Sequence, residues 1–130
     1  MKPLLAVLLL CFTITLSKSM MAQQGDRRST ADTASMLFHA CQASIRTMDA
    51  VPTNSSDSQD ELYCADYFQG FTDVVNLGGS STLCLTDARI ETLIRVYVAY
   101  MEKNPKLLDR PKIIGVTFAL KDSYTCSSQN

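Results

Sequence analysis

Four cysteines, Cys41, Cys64, Cys84 and Cys126, constrain this chain more than any other feature, and a fifth, Cys11, lies in an apolar N-terminal run. That run, Leu4 to Leu16, carries no charge, follows Met1-Lys2-Pro3 and gives way to Ser17, Ser19 and Ala22. A basic start, a short apolar stretch and small residues at a cleavage position predict a secretory signal peptide over residues 1–22. The run is shorter than the roughly 20 residues of a spanning helix, which argues against a membrane anchor. Cleavage after Ala22 or after Ser19 fits the pattern. Either way Cys11 leaves with the peptide, so a lipid-attached cysteine is not expected. The exported remainder, residues 23–130, is of single-domain size and keeps an even number of cysteines, which predicts disulfides. Free buried thiols are the alternative. Zinc fits poorly, because its cysteine ligands come in closely spaced pairs and no two of these are close.

Removing Lys2 and Lys18 leaves ten basic against thirteen acidic side chains, a mildly acidic balance of about −3. No basic stripe suggests nucleic acid, and no long apolar segment follows the leader. Gln23 to Thr30 is polar. Ala31 to Met48 then reads as a helix, with Ala34, Leu37, Phe38, Cys41 and Ile45 at spacings of three and four. Asp49 to Gln59 is a loop. Ser58 and Glu61 resemble a capping box that would open a second helix near Asp60 and carry it to Leu77. Its expected core stripe is Cys64, Tyr67, Phe68, Phe71, Val74 and Val75. Gly70 in mid-helix suggests that a neighbouring backbone passes close, since glycine there otherwise costs about 1 kcal/mol against alanine. Gly78-Gly79 is expected to end the helix in the left-handed conformation.

A third helix is expected from Thr86 to Lys103, with Ile90, Leu93, Ile94, Tyr97, Tyr100 and Met101 as its stripe, ended by Asn104-Pro105. Lys106 to Arg110 is a short turn, and Pro111 is placed to open a fourth helix. That helix, with Ile113, Ile114, Val116, Phe118, Leu120 and Tyr124, is apolar on more than one side and is expected to be central. Its β-branched residues make a strand the alternative. The fold class is therefore all-α: a small antiparallel bundle of about four helices stapled by disulfides. Short connections favour antiparallel neighbours. That packing brings Cys41 to Cys64 and Cys84 to Cys126, whereas Cys64 and Cys84 flank opposite ends of one helix some 20 Å long.

Catalytic signals are sparse. His39, the only histidine, reads as a helix-surface or boundary residue in preference to a general base. There is no GxSxG elbow, and paired cysteines are not nucleophiles. Asp66 and Asp73 share a helix face but read as a solvated one. Gly78-Gly79-Ser80-Ser81 is too short for a phosphate loop. No cofactor and no metal is expected.

The run Cys64-Ala65-Asp66-Tyr67-Phe68-Gln69-Gly70-Phe71 forms a C-x-x-Y-x-x-G helix. Leu83-Cys84-Leu85 follows, then an amphipathic helix closing on Asn104-Pro105, then Ala119-Leu120 and Cys126. In this order the elements resemble the Rap/Tai family of type VI secretion immunity proteins, from about Leu37 to Cys126. Two positions depart from the family's pattern: Thr86 and Thr125 stand where proline is frequent. The resemblance implies a periplasmic, helical, disulfide-bonded homodimer that binds and blocks a peptidoglycan amidase effector of NlpC/P60 type. Tyr97, Tyr100 or Met101, read as surface apolar residues, would support the dimer. Blocking an amidase calls for an element that fills its substrate groove. The outer face of the third helix and the turn after it supply Glu91, Arg95, Glu102, Lys103, Asn104, Lys106, Asp109 and Arg110 as partner-binding candidates. Arg95 and Arg110 lead, because arginine is enriched at binding hot spots. The competing classes are a small disulfide-bonded periplasmic stress chaperone and an envelope adaptor. Scattered carboxylates and a single histidine offer little for the chaperone's pH switch.

Overall fold

Helical periodicity along the sequence becomes four α-helices and one 3-10 turn in a computed structural model that describes residues 33–78 and 82–126. α1 spans Ala34–Met48, α2 Ser55–Leu77, α3 Ile90–Lys103 and α4 Lys112–Tyr124, with the 3-10 turn at Pro105–Leu107. Extended pairing among the described residues is limited to two isolated bridges, Thr33 with Pro111 and Leu83 with Thr125. The expected signal peptide, the polar segment after it, and Gly79 to Ser81 lie outside the described residues. None of the described helices is long and apolar enough to cross a membrane.

Both disulfides form as antiparallel packing predicts, Cys41–Cys64 and Cys84–Cys126. In the α1–α2 hairpin, contacts run in opposite chain order. After the Cys41–Cys64 bond, the Ser44 hydroxyl donates to the Glu61 carbonyl at 3.3 Å and Arg46 pairs with Asp57 at 2.5 Å. In the α3–α4 hairpin, Met101 near the end of α3 lies against Gly115 near the start of α4. At the other end, the Cys84 N–H donates to the Tyr124 carbonyl at 2.8 Å beside the Cys84–Cys126 bond. Gly115 lets the helices approach closely here. A methyl group there would stand 3.2 Å from the Ala34 Cβ and 3.4 Å from the Met101 sulfur.

The core takes Leu37 and Cys41 from α1, Cys64 and Phe68 from α2, Leu93 and Tyr97 from α3, and Val116 and Leu120 from α4, all fully buried. The rings of Phe68 and Tyr97 meet edge-on at 5.6 Å. Burial obliges the Tyr97 hydroxyl to find a partner, and it donates to the Ala34 carbonyl at 3.0 Å. Burial also pushes its pKa well above the ordinary tyrosine range. Tyr97 and Met101 are therefore core residues, and the expectation that they offer a dimer surface is corrected.

Other expectations need correction as well. α2 begins five residues early. Asn54 accepts from the N–H groups of Ser56 and Asp57, and Asp57 accepts from the Asn54 N–H, so the capping box lies at Asn54 and Asp57 in place of Ser58 and Glu61. α3 begins at Ile90, four residues late, because Thr86-Asp87 forms a turn. Gly70 has open space where a Cβ would stand, so no backbone passes close to it. Gly78 ends α2 in a right-handed conformation, and Gly79 lies outside the described residues. Among the described non-glycine residues the left-handed one is Ala50, at φ 54°, where Ala50 N–H and Val51 N–H return to the carbonyls of Thr47 and Arg46. That is the Schellman pattern, built here without the glycine it favours. Val74 is exposed, and α4 is flanking, with Ile113, Ile114 and Phe118 exposed while Val116, Ala119 and Leu120 are buried.

Candidate functional site

The predicted partner-binding residues fall on one exposed helix face and one adjoining turn. Positions 91, 95 and 102 lie within a narrow arc of α3 at 3.6 residues per turn, and Glu91, Arg95, Glu102 and Lys103 are all exposed. α3 forms here because its apolar residues recur at helical spacing, and burying Leu93, Ile94, Tyr97 and Met101 turns the polar residues outward. Lys106, Asp109 and Arg110 are exposed on the turn, and Asn104 is half-buried. The Asn104 side-chain amide donates to the Tyr100 carbonyl at 2.8 Å, which closes the end of the helix. From Glu91 to Lys103 the face is about 18 Å long at 1.5 Å per residue.

The turn is held by main chain. The carbonyls of Leu108 and Arg110 accept from the N–H groups of Ser35 and Ala34, each at 2.8 Å. These are among the first N–H groups of α1, which have no partner inside their own helix. Thr33 provides no side-chain cap for them, so the turn satisfies donors that would otherwise stay open. Leu107, Leu108 and Arg110 also donate back to the carbonyls of Asn104, Pro105 and Leu107.

Arg95 has a partner that sequence reasoning missed. Its guanidinium reaches Asp49, at the end of α1, at 2.5 Å. The hydrogen bond from Arg95 holds the Asp49 carboxyl below its ordinary value, and Asp49 in turn raises the Arg95 pKa. Only the sequence separation of 46 hid this pair, since neither residue belongs to a local motif. Sequence reasoning also missed a groove of about 390 Å³ beside the turn, between Lys103, Lys106, Leu107, Tyr100 and Phe118. Sequence reasoning counted Phe118 among the apolar residues of a central helix, whereas it is exposed at this groove.

The remaining candidates are dispersed. His39 is exposed on α1. Asp66 and Asp73 are exposed on α2, and Asp73 accepts from the Gln69 amide at 2.9 Å. Among the described residues no group of three histidine, cysteine or carboxylate side chains is placed to hold a metal ion.

A family model described as Rap1a immunity proteins matches residues 33–126, a span that contains all of the described residues. The chain belongs to the Rap1a immunity protein family. The match begins at Thr33, the residue that bridges to Pro111, and ends at Cys126 of the second disulfide. The Rap1a region is thus the whole stapled bundle. Comparison with curated proteins and with solved structures gave no match.

Proposed function

We propose that this Rap1a family member is a periplasmic immunity protein that binds and sterically inhibits a type VI secreted peptidoglycan amidase effector of NlpC/P60 type, protecting the producing cell. The observation that carries the reading is the family match across residues 33–126. The geometry supports it. An exposed polar helix face runs into a turn whose backbone is already fixed, so little ordering is needed on binding. The protein acts through this surface as a stoichiometric block, without chemistry of its own. The proposal includes a homodimer, for which exposed Leu62, Val74 and Leu77 on α2 offer apolar surface.

The test uses purified peptidoglycan amidases of NlpC/P60 type. Arg95→Ala/Arg110→Ala weakens binding by about 2–4 kcal/mol if these are anchors, with the circular dichroism still helical. Asp49→Ala serves as the control, because it breaks the exposed Arg95 pair while leaving Arg95 in place. An amidase fully inhibited by the double variant moves the interface to the α2 face around Asp66 and Asp73. A wild-type protein that inhibits no amidase of this class at excess concentration ends the immunity reading.

A further inference from the structure

The groove beside the turn has a lining that the α3 face lacks. Tyr100, Pro105, Leu107 and Phe118 give it apolar walls, and Lys103 and Lys106 stand on its rim. No carboxylate lines it. Glu102 and Asp109 occupy neighbouring exposed positions without entering it. The Phe118 side chain is left 48 % exposed although three apolar neighbours line the same groove. A volume of about 390 Å³ is near the small end of ligand pockets and suits one or two side chains, not a helix.

We propose that this groove receives an apolar, preferably aromatic, side chain of the effector from a segment that carries carboxylates on either side of it. Assigning the occupant to the effector rests on the immunity reading; the groove's chemistry does not. The argument is complementarity. An inserted ring removes apolar surface on Phe118, Tyr100 and Leu107 from water. The two lysines, unopposed at the rim of a chain that is acidic overall, fit flanking carboxylates and disfavour basic ones. The turn that forms one wall is held in place by its hydrogen bonds to α1, so the groove exists before anything binds.

The test separates the groove from the function. The ¹⁵N-labelled protein, with both disulfides formed, is titrated with a capped Glu-Glu-Phe-Glu-Glu peptide and with its Lys-Lys-Phe-Lys-Lys counterpart. The acidic peptide is expected to give saturable amide shifts confined to residues 103–107 and the neighbourhood of Phe118. Affinity falls at least tenfold in Lys103→Glu/Lys106→Glu and in Phe118→Ala, and falls with added salt. Equal shifts from both peptides, shifts elsewhere, or none overturn the proposal. The same variants are then assayed against the amidase. Inhibition unchanged by them, with wild-type inhibition intact, overturns the effector as occupant while the immunity reading stands. Acidic-peptide binding in a protein that inhibits no amidase supports the groove and removes the immunity reading. Variants that convert a dimer to a monomer in sedimentation assign the groove to a second copy and overturn the proposal.

Discussion

The two helical hairpins of this protein are each closed by one disulfide, and the bonds sit in opposite places. In the α1–α2 hairpin, Cys41–Cys64 joins the helices along their length, and both cysteines are fully buried. In the α3–α4 hairpin, Cys84–Cys126 ties the open ends, with Cys84 exposed and Cys126 half-buried. The connections differ in the complementary sense. Between α1 and α2, side chains hold the chain: Asn54 and Asp57 cap α2, Arg46 pairs with Asp57, and Asp49 pairs with Arg95. Between α3 and α4, the backbone of the turn is bonded to the backbone of α1. One hairpin thus depends on charge at its connection and on a sealed bond in its core. The other depends on main-chain bonds at its connection and on an accessible bond at its ends.

The largest expected effect tests the disulfides. Sequence separations of 23 and 42 give about 3.5 and about 4 kcal/mol from chain entropy alone, which barely distinguishes the two bonds. Burial does distinguish them. Cys41→Ala/Cys64→Ala also removes buried sulfur atoms from the core, and it is expected to lower the unfolding free energy more than Cys84→Ala/Cys126→Ala in denaturant titration. A mild reductant should open Cys84–Cys126 first, because exchange needs access to a sulfur. Alkylation and peptide mapping that find Cys41 and Cys64 free first would break the comparison.

A smaller effect tests the charged connection. Backbone and side-chain hydrogen bonds from Asn54 and Arg46 hold the Asp57 carboxyl below its ordinary value of 3.8, and Arg95 does the same for Asp49. A carboxylate with a depressed folded-state pKa contributes stability that is present above its unfolded pKa and lost as pH falls through the folded one. Stability should therefore decline as pH drops below about 3.8. Amide exchange is expected to rise first around residues 49–57, before the 104–111 turn. Asp57→Asn should be less stable at neutral pH and flatter in acid. Simultaneous opening of both connections would remove the contrast.

The smallest effect concerns two residues of the first hairpin. Ala50 occupies a left-handed position that suits glycine, and Gly70 occupies an exposed mid-helix position, with open space, that suits alanine. Ala50→Gly and Gly70→Ala are each expected to stabilise the protein by about 1 kcal/mol. Being far apart in α1–α2, they should add in thermal unfolding. A bulky substitution in the second hairpin, Gly115→Leu, should destabilise, since its Cβ already stands 3.2 Å from the Ala34 Cβ and 3.4 Å from the Met101 sulfur with no room beyond them for the rest of the side chain.

These residues also show how much could be read from the sequence. Helix count and disulfide pairing were legible, because the 3.6-residue period and short connections leave few arrangements of four cysteines. The start of α2 was not. Two consecutive capping patterns lie four residues apart, and the earlier one has Asp57, which also reaches Arg46 on α1, a contact no local pattern contains. Val74 continued the stripe of α2 but is exposed. α2 has 23 residues against 15 in α1, and counting outward from Cys41–Cys64, α1 runs out of length opposite Phe71. α4 was apolar on two sides and is covered on one, which periodicity alone does not decide. Of the site, the exposure of the candidate residues was legible in the amphipathic pattern of α3. The Asp49 pair and the Phe118 groove were not, since both join segments distant in the chain.

The bonding of the 104–111 turn to α1 has a consequence for divergence. Leu108 and Arg110 hold Ala34 and Ser35 through carbonyl oxygens, which every amino acid possesses. The side chains at Lys106, Asp109 and Arg110 point their chemistry outward without being required by the fold. Substitutions at these three positions therefore change the chemistry of the surface at little cost in stability. The outer surface of this loop can drift one residue at a time while the scaffold beneath it stays as it was.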